Sequence, residues 1–116
     1  MSTLTKAQLA TWVLKHLAVL AAGESADAAD SADVETAIDA VHSELRKEGL
    51  VPFATSAIPE WAQIPLRDFV ALEVGPAFGR LQMSSQQRDA EERKLRARLA
   101  RQVAGFKQMP VRADYF

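Results

Sequence analysis

The chain has 116 residues, 48% hydrophobic and 25% charged, with a net charge of −1 and no cysteine. That is the size and composition of one globular domain with a single core. It excludes disulfide scaffolds, thiolate metal sites and cysteine nucleophiles, and the lack of cysteine fits a reducing cytoplasm.

The longest apolar run, Leu17 to Ala22, is six residues, far short of the roughly 20 a membrane-spanning helix needs. No membrane partner is expected. Met1-Ser2-Thr3-Leu4-Thr5-Lys6 has no basic stretch followed by a long apolar one, so no secretory signal is expected.

The charge is polarised along the chain. Residues 1–83 carry six basic residues against eleven acidic ones, a balance of −5, whereas residues 84–116 carry eight against four, a balance of +4. A chain divided in this way is suited to associating with a partner or with its own copies.

In chain order, the pattern predicts four helices and a tail. The first spans roughly Thr5 to Ala22, with Leu9, Trp12, Val13, Leu17 and Leu20 at helical spacing. Thr5 or Thr3 can cap it, and Gly23 is the expected stop. An acidic, small-residue connector follows over Glu24 to Ser31. The second helix opens at Asp30 or Ser31, where Asp30, Asp33 and Glu35 suit the positive end of the helix dipole. Val34, Ile38, Val41 and Leu45 form its buried stripe, and Gly49 closes it after Arg46 and Lys47.

Leu50 to Phe53 reads as extended. Ile58-Pro59-Glu60-Trp61 starts a turn or short helix, with Pro59 suited to a first helical position. Pro65 is then either the first residue of a third helix or a kink within a longer one. Leu66, Phe69, Val70, Leu72, Val74, Ala77 and Phe78 are apolar nearly all round, which marks the third helix as central. Gly75-Pro76 should bend or break it and Gly79 can cap it. Ser84 and Gln87 form a capping-box pattern that opens a fourth helix running to about Val103. That helix is dense in charge, leaving a thin stripe of Ala90, Leu95, Leu99 and Val103. Residues 106–116 read as an extended tail. The expected fold is therefore all-α: a helical bundle over residues 1–105, with an extended C-terminal tail over 106–116.

Little here resembles catalytic chemistry, and neither enzymatic activity nor a cofactor or metal is expected. His16 and His42 lie in different helices with no motif beside them. Glu91 and Glu92 are adjacent on a helix, so they point about 100° apart and cannot face one substrate. The five glycines are dispersed near helix ends, with no phosphate loop among them. The run Arg88 to Arg101 could contact phosphates. The plainer reading is a solvated helix laced by Glu92–Arg96 and Asp89–Arg93 pairs at i,i+4. No aromatic residue is interleaved among its bases. A small DNA-binding or regulatory protein using this helix is the alternative reading. Trp12 and Trp61 suit a core or an interface. The tail carries large apolar side chains that disordered segments avoid, so it either folds back or docks on a partner.

Taken in order, several segments carry a resemblance. These are Leu17-Ala18-Val19-Leu20-Ala21-Ala22-Gly23-Glu24 with its acidic connector, Ala37-Ile38-Asp39-Ala40-Val41-His42-Ser43-Glu44-Leu45, and Val51-Pro52-Phe53. Next come Ile58-Pro59-Glu60-Trp61-Ala62, Pro65-Leu66, Gly75-Pro76-Ala77-Phe78-Gly79 and the closing Val111-Arg112-Ala113-Asp114-Tyr115-Phe116. In order and spacing this series resembles the phage head-to-tail adaptor family, also known as head-completion, tail accessory or packaged-DNA-stabilisation proteins. The likeness covers about residues 9–80 and the chain end.

The resemblance implies a structural subunit of a homo-oligomeric ring, commonly of twelve copies, beneath the portal protein. Such a ring closes the DNA-filled head and offers a platform to tail or nozzle proteins. DNA in the channel would be met only non-specifically. The implied location is the head–tail junction of the virion, assembled in the host cytoplasm. In the family the C-terminal segment reaches the portal, which implies portal-binding roles for Met109, Pro110, Val111, Arg112, Tyr115 and Phe116. The fourth helix would supply subunit contacts through Arg93, Arg96, Arg98 and Arg101, with Trp61 as a further interface residue.

Overall fold

The computed structural model describes residues 3–20 and 27–114, the last nine of these by backbone alone. It is an all-α bundle: α1 (Lys6–His16), α2 (Ala28–Lys47), α3 (Glu60–Val74), a 3₁₀ turn (Gly75–Phe78) and α4 (Ser85–Asp114).

Helix α1 opens with a reciprocal cap. The Gln8 N–H donates to the Thr5 hydroxyl at 3.2 Å, and the Thr5 N–H donates to Gln8 Oε1 at 2.9 Å. Just before it, Leu4 and Ile58 exchange backbone hydrogen bonds of 3.0 and 2.8 Å, tying the N-terminal segment to the approach of α3. Leu9, Ala10, Val13, Leu14 and Leu17 are buried.

The helix stops well before the expected Ala22–Gly23. Ala18 takes a left-handed conformation, φ 61°. Its N–H donates to the Lys15 carbonyl and that of Val19 to the Leu14 carbonyl, both at 3.0 Å. This is the Schellman arrangement, here without glycine. Two contacts hold it. Val19 and Leu20 turn back onto the core, and Arg80 Nε donates to the Leu17 carbonyl at 3.0 Å. An alanine forced into that region costs about 1 kcal/mol. Ala18→Gly should therefore raise stability by up to about 1 kcal/mol, read as a higher urea midpoint; an unchanged or lower midpoint would refute this account.

Helix α2 begins slightly earlier than expected, because the Asp27 carboxylate accepts from the Ala29 N–H at 3.2 Å and supplies the cap. Its buried stripe is Val34, Ile38, Val41 and Leu45, as the spacing predicted. Gly49, at φ 77°, closes it, with the Leu50 N–H reaching the Leu45 carbonyl at 3.0 Å.

Helix α3 resolves the two readings of Pro65. The turn at Ile58–Trp61 and the helix beyond are continuous, with Pro59 at the cap and Pro65 inside the helix. A mid-helix proline forfeits one backbone bond. Here its ring is fully buried, which offsets the loss. Phe69, Val70, Ala71, Leu72 and Val74 are also buried. Accordingly α3 is the hub, packing against α1, α2 and α4. Gly75-Pro76 then tightens into the 3₁₀ turn, capped by Gly79 at φ 71°.

Helix α4 opens at the expected capping box, with Gln87 N–H to Ser84 Oγ at 3.2 Å and Ser84 N–H to Gln87 Oε1 at 3.0 Å. Among the described residues its backbone comes close to that of α3 but not to those of α1 and α2. Its 30 residues correspond to about 45 Å at 1.5 Å per residue. The extended tail expected from residue 106 is, through Asp114, a continuation of this helix instead. Helix propagation accounts for the stretch as far as Met109, since adding residues to a nucleated helix is cheap; the passage through Pro110 has no such explanation. Ala104, Lys107, Gln108 and Met109 are favourable formers. Gly105 sits within the helix without stopping it.

Candidate assembly surfaces

The arginines of α4 divide into two sets. Arg88 and Arg96 turn inward. Arg88 Nε donates to Glu92 at 2.9 Å, and its terminal nitrogen pairs with Glu73 of α3. Arg96 Nε donates to Glu48, at the end of α2, at 2.9 Å, and its NH1 reaches Glu92 at 3.4 Å. The Arg96 guanidinium also lies 5.0 Å from the centre of the Phe69 ring, a cation–π distance. The hydrogen bond it donates to Glu92 raises the pKa of Arg88 above its ordinary value, with the Glu73 charge adding to it. The bond to Glu48 does the same for Arg96, with Glu92 assisting. Both guanidiniums thus fasten α4 to the bundle.

Arg93, Arg98 and Arg101 are exposed, and none makes an ion pair among the described residues. The Asp89–Arg93 pair expected from i,i+4 spacing is not formed among them, whereas Glu92–Arg96 is. Of the residues read as subunit contacts, Arg96 is therefore engaged within its own chain, and the other three arginines point outward. Trp61 is half-buried, edge-on to Phe53 at 5.7 Å. Phe53 in turn is tilted against His42, and its carbonyl lies 2.6 Å from His42 Nε2. These three side chains pin the connector between α2 and α3.

The expected portal-binding positions are less visible. Met109, Pro110, Val111 and Arg112 lie on the last turns of α4, while Tyr115 and Phe116 lie outside the described residues. Among side chains that are described, the last buried one on α4 is Val103.

Three features have no counterpart in the sequence reading. Arg67 stacks over Trp12 at 4.7 Å and pairs with Asp68 at 2.7 Å, on which His16 Nε2 also bears at 3.6 Å. Arg80 caps α1. Ile64, Leu81 and Met83 are exposed at 42%, 40% and 37%. The only sequence signal for the last two was a pair of large apolar residues just before a cap, outside any helical period.

Among the described residues, no group of histidine and carboxylate side chains is arranged to hold a metal, and no helix is long and apolar enough to cross a membrane. Nor does a hydrogen bond join the His16–Asp68 pair to a hydroxyl, as a nucleophilic relay would require. No family model, curated protein or solved structure matches this chain.

Proposed function

We propose that this chain is a structural head-to-tail adaptor of a tailed phage. Copies of it would form a ring beneath the portal protein, close the filled head and receive tail or nozzle proteins. The reading rests on the ordered sequence resemblance. One structural observation supports it above the others: α4 is long, packs its backbone closely on α3, and carries three outward arginines without partners among the described residues. A helix so placed is suited to contacts between subunits. Its last turns, carrying Met109 to Arg112, and the residues beyond them would reach the portal. In this reading the protein is not an enzyme, takes no cofactor, is assembled in the host cytoplasm and ends at the head–tail junction of the virion.

The test is light scattering of the purified chain with its cognate portal, with and without residues 109–116. Full-length chain should add in ring-sized stoichiometry, near twelve copies, and the truncated chain should not. A full-length chain that stays apart from the portal removes the proposal.

The exposed arginines also favour a second reading, a small helical DNA-binding protein. That reading is weakened by Arg88 and Arg96, which are already committed to carboxylates. It expects duplex binding that falls steeply with salt.

A further inference from the structure

Between α2 and the α3–α4 side of the bundle runs a groove made of two hollows of about 340 Å³ each, which share Ala40 and Glu73 as walls. Its apolar floor includes Phe69, Val74 and Phe78, and one wall is the stripe Asp33, Ala37, Ala40 and Glu44 of α2. Spacings of four, three and four put those residues on one helix face. Four carboxylates line the groove (Asp33, Glu44, Glu73 and Glu92) against two guanidiniums, Arg88 and Arg96. Both guanidiniums are consumed by carboxylates already, while Asp33 and Glu44 have no ion pair among the described residues. An apolar floor, a ridge of alanines and a surplus of negative charge suit an amphipathic helix with basic edges.

This chain carries such a helix face. On α4, Arg93, Ala97, Arg101 and Ala104 are all exposed. Helical spacing places them together, opposite the Leu99–Val103 stripe that rests on α3. Because that stripe is buried in its own bundle, the outer face cannot reach its own groove. A second molecule can present it. Small residues on both helices allow close approach of the backbones. Asp33 and Glu44 are eleven residues apart, about 16 Å, and Arg93 and Arg101 eight apart, about 12 Å, a mismatch that two long arginine side chains can span.

We infer that the outer face of α4 in one copy docks into the α2–α3 groove of the next, with Arg93 and Arg101 meeting Asp33 and Glu44. The contact joins two different faces, so it is heterologous and propagates from copy to copy, as a ring requires. It rests on the adaptor reading for the idea of a ring, but needs no portal for its test.

The absence of native cysteine permits a trap for even a weak contact. One chain carries Ala40→Cys and another Ala97→Cys, and the two are mixed in equal amounts under mild oxidation. Random pairing would give the mixed disulfide at twice each homodimer; the docked contact should raise it well above that, to at least about tenfold over either. Adding Arg93→Glu and Arg101→Glu to the Ala97→Cys chain should cut its yield about tenfold, as loss of two matched charge pairs implies. Adding Asp33→Lys and Glu44→Lys to the other chain should then restore it. These positions are exposed, and unchanged helical circular dichroism verifies folding. A mixed species no more than the statistical twofold over each homodimer, or yields indifferent to the charge changes, would overturn the inference. Cross-linking that follows the charges beside a portal that is never bound would remove the adaptor reading and leave the contact standing. Portal binding with charge-indifferent cross-linking would do the reverse.

Discussion

Leu66→Ala should destabilise the bundle by roughly 3 kcal/mol, within the range for leucine-to-alanine changes in tight cores. Leu66 is fully buried and sits mid-way along α3, the helix that touches all the others. Its removal withdraws contacts inside the one element on which α1, α2 and α4 converge, and the surrounding helices cannot all close on the vacancy at once. Ile64, two residues away on the same helix, is 42% exposed, so Ile64→Ala should cost under about 0.5 kcal/mol, as surface changes do. Urea denaturation of the two variants measures the contrast. Equal losses would mean that α3 is not the hub described.

The second large effect concerns α4. Leu99 is fully buried, Val103 nearly so, and Leu95 packs on the core only in part. Leu99→Ala should therefore weaken the seat of α4 by about 2–3 kcal/mol. Because the backbone of α4 packs closely on α3 and, among the described residues, on no other helix, the loss should be local. Amides of Arg88 to Val103 should exchange faster by about two orders of magnitude, while those of α1 and α2 keep most of their protection. The pairs of Arg88 with Glu73 and of Arg96 with Glu48 cannot substitute for the leucine, since partly exposed ion pairs contribute about 1 kcal/mol or less. Uniform acceleration across all four helices would instead make α4 an inseparable part of one cooperative unit.

Both effects bear on assembly. A ring contact built on α4 transmits load only if α4 is fixed to its own bundle. Leu99→Ala should accordingly lower the yield of the Ala40–Ala97 cross-link, even though Leu99 is buried and lies outside both docking faces.

Much of this protein was legible in the sequence, wherever the deciding interaction lies within about one turn of helix. The cap at Thr5 and the box at Ser84–Gln87 formed because each side chain reaches an N–H three residues on. The stripe Val34, Ile38, Val41 and Leu45 is buried because helical period alone sets which side chains share a face. The thin stripe of α4 foretold a helix seated along one side.

Tertiary structure decided the rest, for reasons that local rules cannot contain. Helix α1 ends at His16 rather than near Gly23 because Arg80 takes the carbonyl of its cap residue Leu17, 63 residues back, and because Val19 and Leu20 gain more by turning onto the core. Pro65 stays inside α3 because burial of its ring outweighs one missing hydrogen bond. Arg88 and Arg96 turn inward while Arg93 and Arg98 stay out because Glu73, Glu48 and Phe69, from other elements, lie on one flank of α4 only. In the sequence all four are equivalent arginines on a charged helix. The neighbours that distinguish them arrive only when α4 lies down on α3, and with them comes the division between the charges that hold the bundle and those left for a partner.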